Sequence, residues 1–270
     1  MKRINKSFPG PKSLEDYAKA HPAAKWEEMR QDNANGGSEA AQDCRKQAVS
    51  DQHGLCAYCE QKINLDGPCS PQIEHFHPQS DPSNHFALDW KNMLAVCDGG
   101  IKENNPKIKH RSCDAYKNYM IQKKKLPLAC EGYLLNPLDI PDSPNLFDIE
   151  RETGYLKANQ EACDNNVDNE YSSKTELVDK TIECFNLNCY RLTERRKQIA
   201  NDIDKRIEIL RKNDCEPTEG FEKLVESYFK GKVPEFFTTI RCLLGKAQKD
   251  FVGVNPTALE DYLKRNNYLG

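Results

Sequence analysis

Four cysteines in the first half of the chain have the type and spacing of a tetrahedral metal site. Cys56 and Cys59 form a Cys-x-x-Cys turn, and Cys97 and Cys113 follow as a second pair. Structural zinc sites favour four soft ligands, and a Cys-x-x-Cys turn supplies two thiolates from one short loop. The second pair is separated by residues 98–112, where a gap of two residues is usual. We predict structural Zn²⁺ here, with 98–112 excluded from the ligand turn.

Two alternatives to this ligand set remain open from the residues alone. Cys69 is the main competitor for one of the four ligand positions. Cys56 and Cys59 could instead form a redox pair, although no thioredoxin-like βαβ pattern surrounds them. The other cysteines have no ligand spacing, and we expect small buried hydrophobic residues at Cys44, Cys130, Cys163, Cys184, Cys189, Cys215 and Cys242.

A second group of residues in the same stretch could hydrolyse a phosphodiester. Glu74 and His75 are neighbours, and Asn92 and Asp114 come from segments that the cysteines would hold in place. Histidine can be neutral at pH 7 and can then take a proton from water. Carboxylate and carbonyl oxygens suit Mg²⁺ or Mn²⁺, which would stabilise charge on the phosphate and on the departing oxygen.

Strand geometry leaves one metal ligand of this group open. Neighbours in a regular strand point to opposite faces, so His75 and His77 would share one face and Glu74 would point to the other. Either the strand twists before Pro78 and Glu74 reaches the catalytic metal, which we favour, or His77 is the ligand. The other histidines of this stretch are expected to be structural: His53, His85 and His110.

Composition limits the class of protein. The chain has 270 residues, of which 37% are hydrophobic and 30% charged, and its net charge is −3. That length allows one large domain or two ordinary ones. No apolar run approaches the ~18 residues of a membrane span, and the basic start lacks the apolar segment of a secretory signal. We therefore expect a cytoplasmic protein, in which clustered thiols are metal ligands rather than disulfides.

A basic strip lies beside the candidate site. Residues 101–125 contain eight Lys or Arg, at 102, 107, 109, 111, 117, 123, 124 and 125, against two acidic residues, at 103 and 114. Such a strip would suit the phosphate backbone of a nucleic acid, and the alternative is a solvated run of charges. Arg111 and Lys117 are the candidate substrate-binding residues.

The elements that must position these residues follow from patterning. We predict a short helix over 23–30 in an otherwise irregular start, and a helix over 38–52 with Ser38 as its N-cap. A strand over 72–77 ends at Pro78, and helices follow over 87–96 and 112–124. Two strands are predicted over 146–150 and 154–158. Apolar steps of three, four and seven residues then predict an amphipathic helix around 192–210, with helices near 176–186, 217–230, 234–249 and 256–266.

Together the motifs resemble the HNH, or ββα-metal, endonucleases of the zinc-bound type. The matching segments are Cys56-x-x-Cys59, Glu74-His75-x-x-Pro78, Asn92-x-x-x-x-Cys97 and Cys113-Asp114-x-x-Lys117. The resemblance implies that His75 is the general base and that Glu74 and Asp114 hold the catalytic metal. It also implies that Asn92 holds the base and its loop in place. The chain departs from the usual pattern in Glu74, in Asp114 and in the long insert before Cys113.

This resemblance implies a fold and a domain order. The fold class is α+β, with a zinc-bound ββα-metal nuclease core followed by a mainly α-helical C-terminal domain. The expected parts are an N-terminal segment (1–36), the nuclease domain (37–125), a connecting segment with a β-hairpin (126–170) and the helical domain (171–270).

More narrowly, the chain resembles the HNH subunit of Septu-type anti-phage systems, including the form found beside some retrons. Softer similarities lie at 134–137, 153–156 and 181–188. The resemblance implies cleavage of DNA or RNA in defence, together with an ATPase subunit of the PtuA type that would dock on the helical half. The alternative is a zinc-braced module that binds nucleic acid or protein without cutting, although such a module does not need Glu74, His75 and Asn92. Zinc-protease and nucleobase-deaminase motifs are missing.

Overall fold

The computed structural model describes residues 1–67, 69–81, 86–101, 107–163, 169–249, 251 and 253–269. Over those ranges the chain forms nine α-helices and two two-stranded sheets, which confirms the α+β class. Three residues of the sequence predictions, His85, Lys102 and Glu103, lie outside the described residues. Within the described part, no helix combines the length and apolar character that a membrane crossing requires.

Three helices form the start of the chain: α1 (Lys12–Ala20), α2 (Trp26–Gln31) and α3 (Gly37–Asp51). Helix α1 lies where we predicted irregular structure. It buries Leu14 and Tyr17 on one side, so tertiary packing stabilises a segment with a weak local signal. The predicted N-cap of α3 is also wrong. Gly36, in the left-handed conformation (φ 78°), occupies that position instead of Ser38.

The first sheet is an antiparallel pair of strands, β1 (Gln72–His75) and β2 (Met93–Val96). A 3₁₀ turn over Trp90–Asn92 precedes β2, so the predicted helix over 87–96 is wrong. All four residues of β2 are buried. Because a short, continuous apolar run fits a buried strand as well as a buried helix, periodicity alone could not decide between them.

Helix α4 (Cys113–Gln122) follows β2 along the chain, after the insert that contains a short 3₁₀ turn over Ile108–His110. The order of elements in this part is therefore strand, strand, helix, the order that the resemblance to the ββα-metal endonucleases implies. The end of β1, the start of β2 and the first turn of α4 carry the residues of the candidate site.

The second sheet and the helical half agree with the sequence predictions. Strands β3 (Phe147–Glu150) and β4 (Tyr155–Ala158) pair antiparallel. The helices that follow are α5 (Lys174–Cys184), α6 (Tyr190–Lys212), α7 (Pro217–Phe229), α8 (Phe237–Gln248) and α9 (Ala258–Arg265). The predicted stripe of α6 is confirmed, since Leu192, Ile203 and Ile207 are buried and Ile199 and Leu210 are half-buried.

The helical half packs directly on the cysteine turn. The buried carboxylate of Glu60, next to Cys59, accepts hydrogen bonds from the backbone N–H of Thr238 at 2.9 Å and from its hydroxyl at 2.5 Å. Phe236 N–H donates to the Glu60 carbonyl at 3.0 Å. Buried apolar residues form one cluster that includes both halves of the chain. Because both halves share this cluster, the packing does not test the predicted domain boundaries, which stay predictions.

Candidate functional site

The four predicted cysteines converge on one point. Their Sγ atoms all lie within 4.8 Å of one another, and all four side chains are buried. The Sγ–Sγ distances are 3.8 Å for Cys56–Cys113, 3.7 Å for Cys59–Cys97 and 3.6 Å for Cys97–Cys113. A tetrahedral zinc ion with Zn–S bonds of about 2.3 Å places its sulfur ligands about 3.8 Å apart, so the cluster has the size of such a site. Cys69, the predicted competitor, is not part of this group.

The backbone explains how a long insert is tolerated between the second pair of ligands. Ser112 N–H donates to the Gly99 carbonyl at 3.0 Å, so the two ends of the insert meet. Gly99 has φ 67°, and a Cβ there would lie 2.4 Å from the Ser112 carbonyl oxygen. Cys113 N–H is held by the Phe185 carbonyl at 2.8 Å. The ligand spacing in space is therefore short although the spacing in sequence is long.

The electrostatics of the cysteine cluster favour a bound cation. Burial raises the pKa of the Cys59 and Cys113 thiols well above its ordinary value, because an isolated thiolate is poorly solvated there. The guanidinium of Arg191 lies close to the cluster and donates to Ser112 Oγ and Gln61 Oε1. A divalent cation would remove the cost of ionising the thiols, so the donor set fits a thiolate-binding metal.

Two carboxylates, Glu74 and Asp114, lie side by side at the junction of β1 and α4. Glu74 is buried, and its carboxylate is close enough to Asp114 for its charge to shift the pKa of Asp114. Burial raises the pKa of Asp114 well above its usual range, and the charge of Glu74 raises it further. Asn118 Nδ2 donates to Asp114 at 2.8 Å. Paired carboxylate oxygens are donors that Mg²⁺ and Mn²⁺ prefer, and a cation between them would relieve their repulsion.

Lys117 already supplies part of that positive charge. Its side chain is 1% exposed, and Nζ donates to Glu74 Oε1 at 2.5 Å, to the Phe76 carbonyl at 2.7 Å and to the His75 carbonyl at 3.1 Å. The prediction that Lys117 binds substrate is therefore contradicted by its placement. One turn after Asp114, the side chain faces the strand pair and not the solvent, and it ties α4 to the end of β1.

His75 is 4% exposed and is held by hydrogen bonds at both ring nitrogens. Nε2 lies 2.9 Å from the Ala87 carbonyl oxygen, and Nδ1 lies 3.0 Å from Gln79 Nε2. A carbonyl oxygen only accepts, so Nε2 carries the proton and the lone pair of the neutral ring is on Nδ1. Burial lowers the pKa of His75, which favours this neutral form. The arrangement provides a base with one defined proton-accepting atom.

Asn92 forms hydrogen bonds to the backbone that follows β1. Its Oδ1 accepts from His77 N–H at 2.7 Å, and its Nδ2 donates to the His77 carbonyl at 3.0 Å. The Asn92 carbonyl accepts from Phe76 N–H at 2.9 Å. These three bonds fix the exit of the strand directly after His75. That Asn92 thereby holds the general base in place stays a prediction.

The His77 side chain faces other partners than the paired carboxylates. Its Nδ1 lies 2.9 Å from Glu131 and its Nε2 3.1 Å from Asp81. The alternative in which His77 holds the catalytic metal therefore lacks support. Glu131 and Gln79 were missed by sequence reasoning. Glu131 lies outside every motif, and the only signal for Gln79 is its position directly after Pro78.

The basic strip is exposed along much of its described length. Lys107, Lys109 and the run 123–125 are exposed, whereas Arg111 is half-buried and its carbonyl accepts from Asn186 Nδ2 at 2.7 Å. The surface beside α4 is thus positively charged. Substrate binding by Arg111 stays a prediction.

Comparison with known proteins adds two relatives. The Escherichia coli protein named "Retron Ec83 putative HNH endonuclease" is 31% identical over 255 residues, which cover 90% of this chain and 93% of that protein. The Septu protein PtuB of Bacillus mycoides (strain KBAB4) is 27% identical over 177 residues, which cover 58% of this chain and 51% of that protein. No protein-family model matches the chain. The extent of the first match shows that the chain is an HNH endonuclease and belongs to the family represented by the retron and Septu proteins.

Proposed function

We propose that this endonuclease hydrolyses phosphodiester bonds of DNA or RNA with one catalytic Mg²⁺ or Mn²⁺, as the effector of an anti-phage system. The observation that carries the proposal is His75, a buried neutral imidazole whose proton is fixed on Nε2. It follows Glu74 directly on β1, and Glu74 pairs with Asp114. A histidine needed only for packing does not require a paired-carboxylate site at the neighbouring position. The strand, strand, helix unit of β1, β2 and α4 would be the ββα-metal core.

In this proposal each residue has one role. His75 Nδ1 takes the proton of the attacking water. Glu74 and Asp114 would hold the divalent cation, which supplies charge stabilisation to the phosphate and the leaving oxygen. Asn92 holds the strand exit, and Lys117 keeps Glu74 oriented until the cation binds. The four cysteines would hold structural Zn²⁺ and so fix α4 against the strand pair.

The test is cleavage by the purified protein on DNA and RNA in Mg²⁺ or Mn²⁺. The change His75→Ala should lower the cleavage rate about 10²- to 10⁴-fold, the usual contribution of a general base, with zinc content and folding retained. The matched control is His53→Asn, at an exposed histidine with φ 55°, a conformation that asparagine tolerates. Equal cleavage by His75→Ala and the wild type would contradict the assignment.

One observation supports a non-catalytic alternative, a zinc-braced module that binds nucleic acid or protein. Lys117 already neutralises Glu74, so the site is stable as it stands without a second metal. This alternative predicts that the wild-type protein binds nucleic acid without cutting it in any divalent cation. The same assay, with a binding measurement on the uncut substrate, separates the two functions.

We also propose an ATPase partner subunit of the PtuA type, which contacts the helical part of the chain, residues 171–270. The support is the likeness to the Septu protein, together with a helical half in whose described residues we find no candidate catalytic group. Co-expression of the full chain with an ATPase of the PtuA type should yield a complex. Crosslinks located by mass spectrometry should fall on α5–α9. Crosslinks confined to residues 1–125 would contradict this docking site.

A further inference from the structure

Gln79 covers the one atom of His75 that could accept a proton. His75 is 4% exposed, whereas Gln79 is exposed. Gln79 Nε2 lies 3.0 Å from His75 Nδ1, so the amide stands on the side of the ring where the lone pair lies. The other ring nitrogen is directed to the Ala87 carbonyl, and the ring edge packs against Trp26 with centroids 5.6 Å apart.

The direction of this hydrogen bond follows from the chemistry of its partners. Because Nε2 must donate to the Ala87 carbonyl, Nδ1 of the neutral ring can only accept. The Gln79 amide nitrogen can donate, and it does so to Nδ1. A water molecule that is to lose its proton to His75 needs the same lone pair. Gln79 and that water therefore compete for one atom.

We propose that Gln79 caps the general base, His75. The Gln79 side chain must turn away before His75 can activate water. The proposal rests on the proposed function of His75 and deepens it. In the capped state the lone pair is occupied and the protein is in a resting form. Cleavage then includes the loss of one protein hydrogen bond, and the population of the uncapped state limits the rate.

The loop around Gln79 is built so that only the side chain needs to move. Asn92 fixes the backbone of His77 on one side of Gln79. On the other side, Asp81 N–H donates to the Pro78 carbonyl at 3.2 Å, and Asp81 also contacts the His77 ring. The backbone of this turn is therefore held at both ends. The Gln79 side chain is long and exposed, so it can leave Nδ1 by changing rotamer.

The experiment compares Gln79→Met, which keeps the length of the side chain and removes the donor, with the wild type. The control is Ser80→Ala, an exposed neighbour. With saturating Mg²⁺ or Mn²⁺, the single-turnover cleavage rate of Gln79→Met should rise about two- to ten-fold, the factor that corresponds to one neutral hydrogen bond. An unchanged or lower rate, with cleavage still dependent on His75, would overturn the cap.

A second measurement needs no activity and so separates the cap from the proposed function. Diethyl pyrocarbonate acylates an unprotonated imidazole nitrogen, and peptide mass spectrometry gives the rate at each histidine. In Gln79→Met the rate at His75 should rise by the same factor of about two to ten, while exposed His53 serves as the internal reference. Equal His75 labelling in the variant and the wild type would overturn the cap even if the protein proves to be a nuclease. Failure of His75→Ala to reduce cleavage would instead remove the catalytic assignment.

Discussion

The cysteine cluster and the carboxylate–histidine site both include residues at the ends of the strand pair and at the start of α4, yet they are completed in different ways. The four thiols converge on one point and have the separations of ligands around one ion. Glu74 and His75 instead have partners from the protein, since Lys117 bonds to the carboxylate and Gln79 to the imidazole. The cysteine cluster is buried, and its four Sγ atoms could hold one metal ion. In the carboxylate–histidine site, Lys117 and Gln79 occupy positions that a cation and a water molecule could take.

This difference has a physical reason. A structural metal contributes to folding and needs no exchange, so its ligands gain from complete burial. A hydrolytic site must admit water, and its charged groups must be tolerated before substrate and cation arrive. Here the internal ammonium of Lys117 compensates the charge of Glu74. Removing one group from each site in turn tests this difference between the two sites.

The largest effect is expected from Cys59→Ser. Apparent metal-binding free energies of small zinc domains are about 10–16 kcal/mol, which is similar to or larger than the stability of a typical domain, about 5–15 kcal/mol. The variant should therefore lose zinc and fail to accumulate as folded protein. Elemental analysis by mass spectrometry and thermal unfolding measure both. Cys69→Ser, at a half-buried cysteine outside the cluster, should keep both properties. Full zinc content in Cys59→Ser would show that the cluster is not the metal site.

An intermediate effect is expected from Lys117→Met. The change leaves the buried Glu74 carboxylate without its cation, and the loss of one partner of a buried ion pair costs about 3–5 kcal/mol. If Glu74 and Asp114 bind a divalent ion, Mg²⁺ or Mn²⁺ should restore part of the lost free energy of unfolding. Denaturant titrations with and without the metal measure this. The exposed Lys124→Met is the control. A loss that no divalent ion reduces would argue against the paired carboxylates as a metal site.

The smallest of these effects is expected from Asn92→Ala. The change removes the side-chain bonds to the His77 N–H and carbonyl, which costs about 1–3 kcal/mol of unfolding free energy when buried groups lose their partners. Cleavage should fall as well, since the strand exit after His75 is no longer fixed. Asn213→Ala, at the exposed end of α6, should change stability by less than about 0.5 kcal/mol. Wild-type stability and cleavage in Asn92→Ala would show that these hydrogen bonds to the His77 backbone are dispensable.

The sequence by itself determined the residues that converge at the cysteine cluster, because ligand chemistry restricts a metal site to few residue types. It also determined most helices of the second half and the pair β3 and β4. Their apolar periodicity and turn residues are local signals that tertiary packing does not need to override.

Only the tertiary structure decided the partners of each side chain. The run at β2 is apolar in either a helix or a strand, and pairing with β1 makes it a strand. Lys117 looks like a surface lysine in sequence, yet the fold brings β1 to it and buries it on Glu74. Contacts such as Glu131 with His77 join residues far apart in the chain, so no local pattern encodes them. A sequence names the groups that can do chemistry, and burial and distance then set which of them meet and in what charge state.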